Sequence, residues 1–169
     1  KASVYQQQLG KLVNALQHTT AVPGFSVALM RQGKLLATAS SGYADVATQQ
    51  PVTSDTVFRL ASVSKIVGAT MLAELAVNNQ LDPDAPIGRY YPELAQKYHA
   101  ITMRQLVAHI SGMPHYQLKD FDIYDSHYSS AIGAVATLKE RDLTARPGSA
   151  YQYSTHGYTL AGAVYEKIT

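Results

Sequence analysis

Only one stretch of this 169-residue chain reads as paired strands, and nearly everything after it reads as helix and loop. Phe25, Val27 and Leu29 alternate with smaller residues, Arg31-Gln32-Gly33-Lys34 supplies turn chemistry, and residues 35–40 read as the return strand. A lone hairpin is a poor sheet in water, so its strands must lean on helices. The pattern therefore predicts an α+β fold, an antiparallel sheet flanked by helices. So few strands also predict a sheet that is incomplete within these residues.

Helical patterning surrounds the hairpin. Ahead of it, Tyr5, Leu9, Leu12, Val13 and Leu16 fall on one helical face, and Pro23-Gly24 ends the segment. Residues 42–54 read as a polar connector. From Lys65 to Asn79 the period is helical, with Ile66, Ala69, Ala73 and Val77 near one face, and Pro83 and Pro86 close the region. Thr102 can cap a helix over 103–109 that stops at Ser111-Gly112-Met113-Pro114. Residues 115–130, rich in Tyr, Asp and His, read as a long ordered loop with some helix. Helices are predicted over 131–138 and 157–168, separated by a turn at Arg146-Pro147-Gly148.

Composition narrows the function classes. Hydrophobic residues make up 46% and charged residues 15%, as in an ordinary globular protein, and 169 residues suffice for one domain with a substantial core. A net charge of +2, with fourteen Lys and Arg scattered along the chain, gives no footprint for a nucleic-acid partner. The longest apolar run, 66–77, is interrupted by Thr70 and Glu74, so no transmembrane segment is expected. With no cysteine, disulfides and thiolate catalysis are excluded. A chain that begins at Lys1 reads as a processed mature form or a trimmed piece.

The chemistry centres on Ser62 and Lys65. Three residues apart on a helix, they share a face within hydrogen-bonding reach, whereas Ser64 points elsewhere. A serine hydroxyl is a weak nucleophile unless a neighbour takes its proton, and a lysine in a partly dry pocket can accept or relay one. The start of a helix adds backbone N–H groups that can hold an oxyanion. Ser and Lys are common, however, and the pair alone decides nothing.

A second element lies downstream, where Arg146-Pro147-Gly148 leads to Tyr153-Ser154-Thr155 at the entrance to a helix. Further signatures are Gly42-Tyr43-Ala44-Asp45, Leu81-Asp82-Pro83 with Tyr91-Pro92-Glu93, and Leu106-Val107-Ala108-His109-Ile110-Ser111-Gly112. In this order and spacing the five elements resemble the serine beta-lactamase and penicillin-binding-protein-like family, the class C beta-lactamase type of serine hydrolase. Ser-Gly-Met-Pro-His-Tyr and Tyr-Ser-Thr-x-Gly-Tyr-Thr-Leu resemble its mitochondrial beta-lactamase-like branch and bacterial relatives.

The resemblance implies a beta-lactamase/transpeptidase-like fold, with residues 1–169 as the N-terminal part of a single serine hydrolase domain. It implies that Ser62 forms an acyl-enzyme with an ester, amide or beta-lactam carbonyl, that Lys65 and Tyr153 relay the proton, and that the Ser62 N–H forms half of an oxyanion hole. Thr155 and His156 would contact substrate. Neither cofactor nor metal is implied. The expected partners are a small molecule or cell-wall peptide as substrate, with a second copy or second chain completing the sheet, and the expected location is periplasmic or secreted. Thr155 stands where class C enzymes carry Asn, which favours an esterase or peptidase over an efficient beta-lactamase. The family's third element, Lys or His followed by Thr or Ser and Gly, lies beyond residue 169, so this piece alone is expected to be inactive.

Other readings stand beside these. Tyr153 is one of twelve tyrosines and could be a core or surface aromatic. His109 reads as a structural hydrogen-bonding residue, while His115 and His156 could line the site entrance or the surface. Asp120, Asp122 and Asp125 read as a solvated loop, lacking the glycine and terminal Glu of a calcium loop. A non-catalytic binding or scaffold protein of the same fold is the alternative from another class.

Overall fold

A computed structural model describes residues 3–117, 120, 126–138 and 141–169. The chain forms two compact units, residues 1–59 and 60–169.

In the first unit, helix α1 (Val4–Thr19) precedes strands β1 (Gly24–Arg31), β2 (Lys34–Asp45) and β3 (Gln50–Pro51). Ser3 caps α1, its hydroxyl accepting from the Gln6 N–H at 3.1 Å. The strands form an antiparallel sheet in the order β1-β2-β3, with Ala28 opposite Thr38 and an irregularity between Leu29 and Met30. The predicted polar connector is thus partly strand. β2 continues through Asp45, whose carboxylate accepts from the Ala47 and Thr48 N–H groups at 2.8 and 3.2 Å and turns the chain into β3.

The face of α1 turned inward differs from the expected one. Val13 is buried, Leu9 and Gln6 are half-buried, and Leu12 and Leu16 are exposed. The Gln6 carboxamide decides this. It donates to the Thr38 carbonyl at 2.5 Å and accepts from the Thr38 N–H at 3.2 Å, pairing with β2 as a neighbouring strand would. Among the described residues, Val13, Ala37 and Val52 are the fully buried apolar side chains of this unit.

The second unit holds a larger core. Its helices are α2 (Ser64–Val77), α3 (Met103–Val107), α4 (Ala131–Val135) and α5 (Thr155–Ile168), with 3-10 turns at Ala61–Val63, Ile87–Arg89, Gln96–Tyr98 and Ala136–Leu138. Ile87, Ile101, Met103, Leu106, Met113, Leu160 and Val164 are fully enclosed. α2 turns Leu72 and Leu75 into this core, not the expected Ile66 and Val77, which are exposed. α2 and α5 pack where Gly68 meets the Tyr158 ring, and Tyr165 donates to the Gly68 carbonyl at 2.8 Å. Thr102 and Gln105 form a reciprocal capping box on α3, as its sequence predicts. That helix stops at Val107, two residues early, because His109 takes a left-handed backbone (φ 60°). No helix among the described residues is long and apolar enough to cross a membrane.

The reading of Asp120 as a solvated residue is corrected. Its side chain is 1% exposed and ion-paired with Arg141, and it accepts from the Gln117 N–H at 2.6 Å. A buried carboxylate persists only with such partners. Asp122 and Asp125 lie outside the described residues.

Candidate active site

Ser62, Lys65, Tyr153 and Thr155 converge within the second unit. Lys65 reaches Ser62 Oγ from three residues ahead, Nζ to Oγ 3.1 Å. The Tyr153 hydroxyl lies 2.6 Å from the same oxygen, and Thr155 Oγ1 is 3.5 Å from Lys65 Nζ. The ammonium also sits 4.8 Å from the centre of the Tyr153 ring and 5.5 Å from that of Tyr158. Thr155, in the place of an asparagine, therefore still reaches the lysine.

Ser62 occupies the 3-10 turn Ala61–Val63 that leads into α2, one turn earlier than a position inside the α-helix. Its N–H precedes the first bond of that turn, Val63 N to Leu60 O at 3.0 Å. Ala61, directly before it, has φ 45°. An alanine in this left-handed region is strained by roughly 1–2 kcal/mol, the kind of distortion that persists where neighbours hold it and that clusters at reactive sites. The turn leaves the serine exposed at the head of the helix.

Lys65 first, and the Ser62 hydroxyl next, hold the Tyr153 phenol below its ordinary range, against the opposing effect of burial. A phenol with a neighbouring cation is easier to deprotonate, so Tyr153 gains character as a base.

Two neighbouring segments fix Tyr153 in place. The Gln152 N–H donates to the His109 carbonyl at 2.7 Å, Gly148 N–H to Ile110 O at 2.7 Å, and Thr144 N–H to Gly112 O at 2.9 Å. Ser154 caps α5, its hydroxyl accepting from the Gly157 N–H at 2.8 Å while donating to the Pro114 carbonyl at 2.7 Å. The helix consequently starts at Thr155, two residues ahead of the predicted start.

His156 does not join the group. Expected to contact substrate, it is 4% exposed, with Nε2 3.9 Å from Asp120 Oδ2 and no hydrogen-bond partner for that atom among the described residues. Its position follows from the helix: one residue past Thr155, its side chain faces inward. His109 and His115 border the site instead, their Nδ1 atoms accepting from the Ser154 and Thr155 N–H groups at 3.0 and 3.2 Å. The sequence signal was the pair of histidines flanking Ser-Gly-Met-Pro.

His109, His115 and His156 all share one electrostatic bias. Burial comes first in each, followed by Lys65 for the first two and Arg141 for the third, and all three are pushed below the ordinary imidazole range. The folded state then binds fewer protons than the unfolded one just below pH ~6.5, and stability must fall as pH drops through that window. The expected result is a denaturation midpoint that declines from pH 7 to pH 5; a flat or rising midpoint would contradict these environments.

A serine-bearing turn, an i+3 lysine and a tyrosine thus converge on one serine oxygen. The beta-lactamase family model matches residues 9–169, and the chain belongs to that family. It is 33% identical over 134 residues to the human mitochondrial serine beta-lactamase-like protein LACTB, covering 76% of this chain and 24% of that protein. In structure it is similar to the D-amino acid amidase of Ochrobactrum anthropi SV3, with TM-score 0.79, 31% identity, and coverage of 92% of this chain and 43% of that one. The D-alanine carboxypeptidase AmpC of Burkholderia cenocepacia gives TM-score 0.73 and 25% identity, over 96% of this chain and 42% of that one. The chain thus spans about a quarter of the length of the human relative and less than half of each of these two structures. The beta-lactamase/transpeptidase-like fold expected from the sequence is the fold found.

Proposed function

We propose that this chain carries the nucleophilic part of a serine acyl-transfer hydrolase, and that Ser62 forms the acyl-enzyme. The observation that carries the reading is the 2.6 Å approach of the Tyr153 oxygen to Ser62 Oγ, with Lys65 Nζ 3.1 Å from the same atom. With the phenol deprotonated, the serine hydroxyl donates across that contact. Ser62 Oγ then bonds to the substrate carbonyl carbon as its proton passes to the Tyr153 oxygen. Lys65, as a cation, balances the tyrosinate and the charge that develops at the serine. The Ser62 N–H stabilises the oxyanion. Collapse of the tetrahedral intermediate breaks the bond to the leaving group, which takes the proton from Tyr153. Water, giving its proton to the same tyrosine, then bonds to the acyl carbon, and the bond to Ser62 Oγ breaks as Tyr153 returns that proton to the serine oxygen.

The preferred substrate class is an amide or ester of a small D-configured amino acid rather than a beta-lactam. Two observations support this. The solved relatives at 31% and 25% identity act on D-amino acid amides and as a D-alanine carboxypeptidase. Thr155 also offers a single hydroxyl oxygen, which donates one hydrogen bond and accepts through the same atom, where a carboxamide would present a separate carbonyl acceptor and a two-donor NH₂.

A panel of D- and L-amino acid amides, p-nitrophenyl esters and a chromogenic cephalosporin, run with the full-length protein and its Ser62→Ala variant, tests the assignment. The expected outcome is D-selective amide or ester turnover that vanishes in the variant. Cephalosporin hydrolysis faster than any amide or ester would overturn the substrate class, and turnover surviving in Ser62→Ala would overturn the nucleophile.

A further inference from the structure

Tyr153 can act on Ser62 only if its backbone is held, and the two residues that follow it are held by imidazole nitrogens. His109 Nδ1 accepts the Ser154 N–H at 3.0 Å, and His115 Nδ1 accepts the Thr155 N–H at 3.2 Å. A ring nitrogen that accepts a hydrogen bond carries no proton, so each ring is a neutral imidazole with its hydrogen on Nε2. The same rings flank the phenol. His109 lies against Tyr153 at 4.4 Å between centroids and 32°, and His115 meets it edge-on at 5.2 Å and 83°. His109 grips twice, because its carbonyl also accepts the Gln152 N–H. Between them, the histidines fix the backbone on both sides of Tyr153 and the orientation of its ring.

We propose that His109 and His115 are positioning residues for the Tyr153–Ser62 proton relay, a neutral-imidazole clamp whose protonation sets the acidic limit of activity. The proposal rests on the acyl-transfer reading above. Adding a proton to Nδ1 turns an acceptor into a donor that faces another N–H, so the clamp must open when either ring becomes charged. Among the described residues, the groups facing His109 are Lys65, His115 and the rings of Tyr151, Tyr153 and Tyr158. Those facing His115 are Lys65, His109, His156, Tyr116 and Tyr153. None of them is a carboxylate, and Lys65 and burial both oppose protonation, keeping the clamp closed at neutral pH. A displaced phenol oxygen loses its alignment with Ser62, and an error of about 1 Å in such a contact costs about 100-fold in rate.

The variants that separate this role from mere packing are His109→Asn and His115→Asn beside the corresponding alanines. The Asn Oδ1 falls near the place of the imidazole Nδ1 and accepts a hydrogen bond without titrating, and Asn tolerates the left-handed backbone of His109. In the full-length protein, each alanine variant is expected to lose about 100-fold in kcat with little change in KM. Each asparagine variant should recover most of that loss and move the acid limb of the kcat profile to lower pH. Folded alanine variants with wild-type kcat, or acid limbs unchanged in both asparagine variants, would overturn the proposal. Long-range ¹H–¹⁵N correlations of the imidazoles at pH 7 test it independently of turnover: Nε2–H tautomers support it, and an Nδ1–H tautomer at either residue overturns it. Fluorophosphonate labelling of Ser62 in the wild type distinguishes failure of this clamp from failure of the acyl-transfer reading.

Discussion

Replacing Tyr153 with phenylalanine is expected to lower kcat/KM of the full-length protein about 10²–10⁴-fold, the range a positioned general base contributes. The ring would keep its contacts with His109, His115 and the Lys65 ammonium, and only the oxygen 2.6 Å from Ser62 would be lost. Folding should therefore be nearly unchanged while the proton acceptor disappears. The pH profile distinguishes this from general damage. Lys65 and Ser62 hold the phenol below its ordinary range, so the wild type gains base as pH rises through that lowered value, a rise separate from the acidic limit that His109 and His115 set. In Tyr153→Phe this rise should be absent. A variant retaining wild-type kcat/KM would make Lys65 the sole proton acceptor and remove the tyrosine from the mechanism.

Gly112→Ala should be the most destabilising small substitution around the site, by about 2–5 kcal/mol in urea denaturation. Gly112 has φ +75°, and a Cβ built there would lie 2.0 Å from the Ala145 carbonyl oxygen. Backbone cannot swing aside as a flexible side chain can. The adjoining segment around Ala145 would have to move, although Gly148 N–H to Ile110 O and Thr144 N–H to Gly112 O hold it in place. Because the same stretch carries His109 and His115, a surviving fold should also lose alignment of Tyr153. Gly10→Ala is the matching control: its Cβ meets nothing within 4 Å on α1, and it should stabilise by about 0.8–1 kcal/mol. If Gly112→Ala unfolds at the wild-type midpoint, the close approach of the two segments is wrong.

What could be read from residue order was chiefly what local chemistry determines. The capping of α3 by Thr102 and Gln105 and the convergence of a serine with the lysine three residues on are both local, and both stand. The meeting of Ser62 with Tyr153 spans 91 positions and was reached through the resemblance of ordered motifs, not from any period in the chain. Errors arose where a distant partner decides. Gln6 faces inward because it pairs with the Thr38 backbone, so the inward face of α1 keeps Leu9 and Val13 of the apolar stripe but leaves Leu12 and Leu16 exposed. Asp120 is buried because Arg141 lies beside it, and an aspartate in a polar loop gives no hint of that. His156 was expected to contact substrate through the resemblance, yet successive helical residues point about 100° apart and the ring turns into the interior. The clamping histidines were visible as residues, but their acceptor role depends on a left-handed backbone at position 109.

The central claim is that Ser62 is the nucleophile of an acyl-transfer site. Intact mass followed by peptide mapping, after exposure of the full-length protein to a fluorophosphonate, measures this directly. One adduct is predicted, on the peptide containing Ser62, lost in Ser62→Ala and formed much more slowly in Tyr153→Phe. A well-folded protein that takes no adduct, or takes it equally in Ser62→Ala, would contradict the claim and leave a beta-lactamase-family fold serving as a binding scaffold.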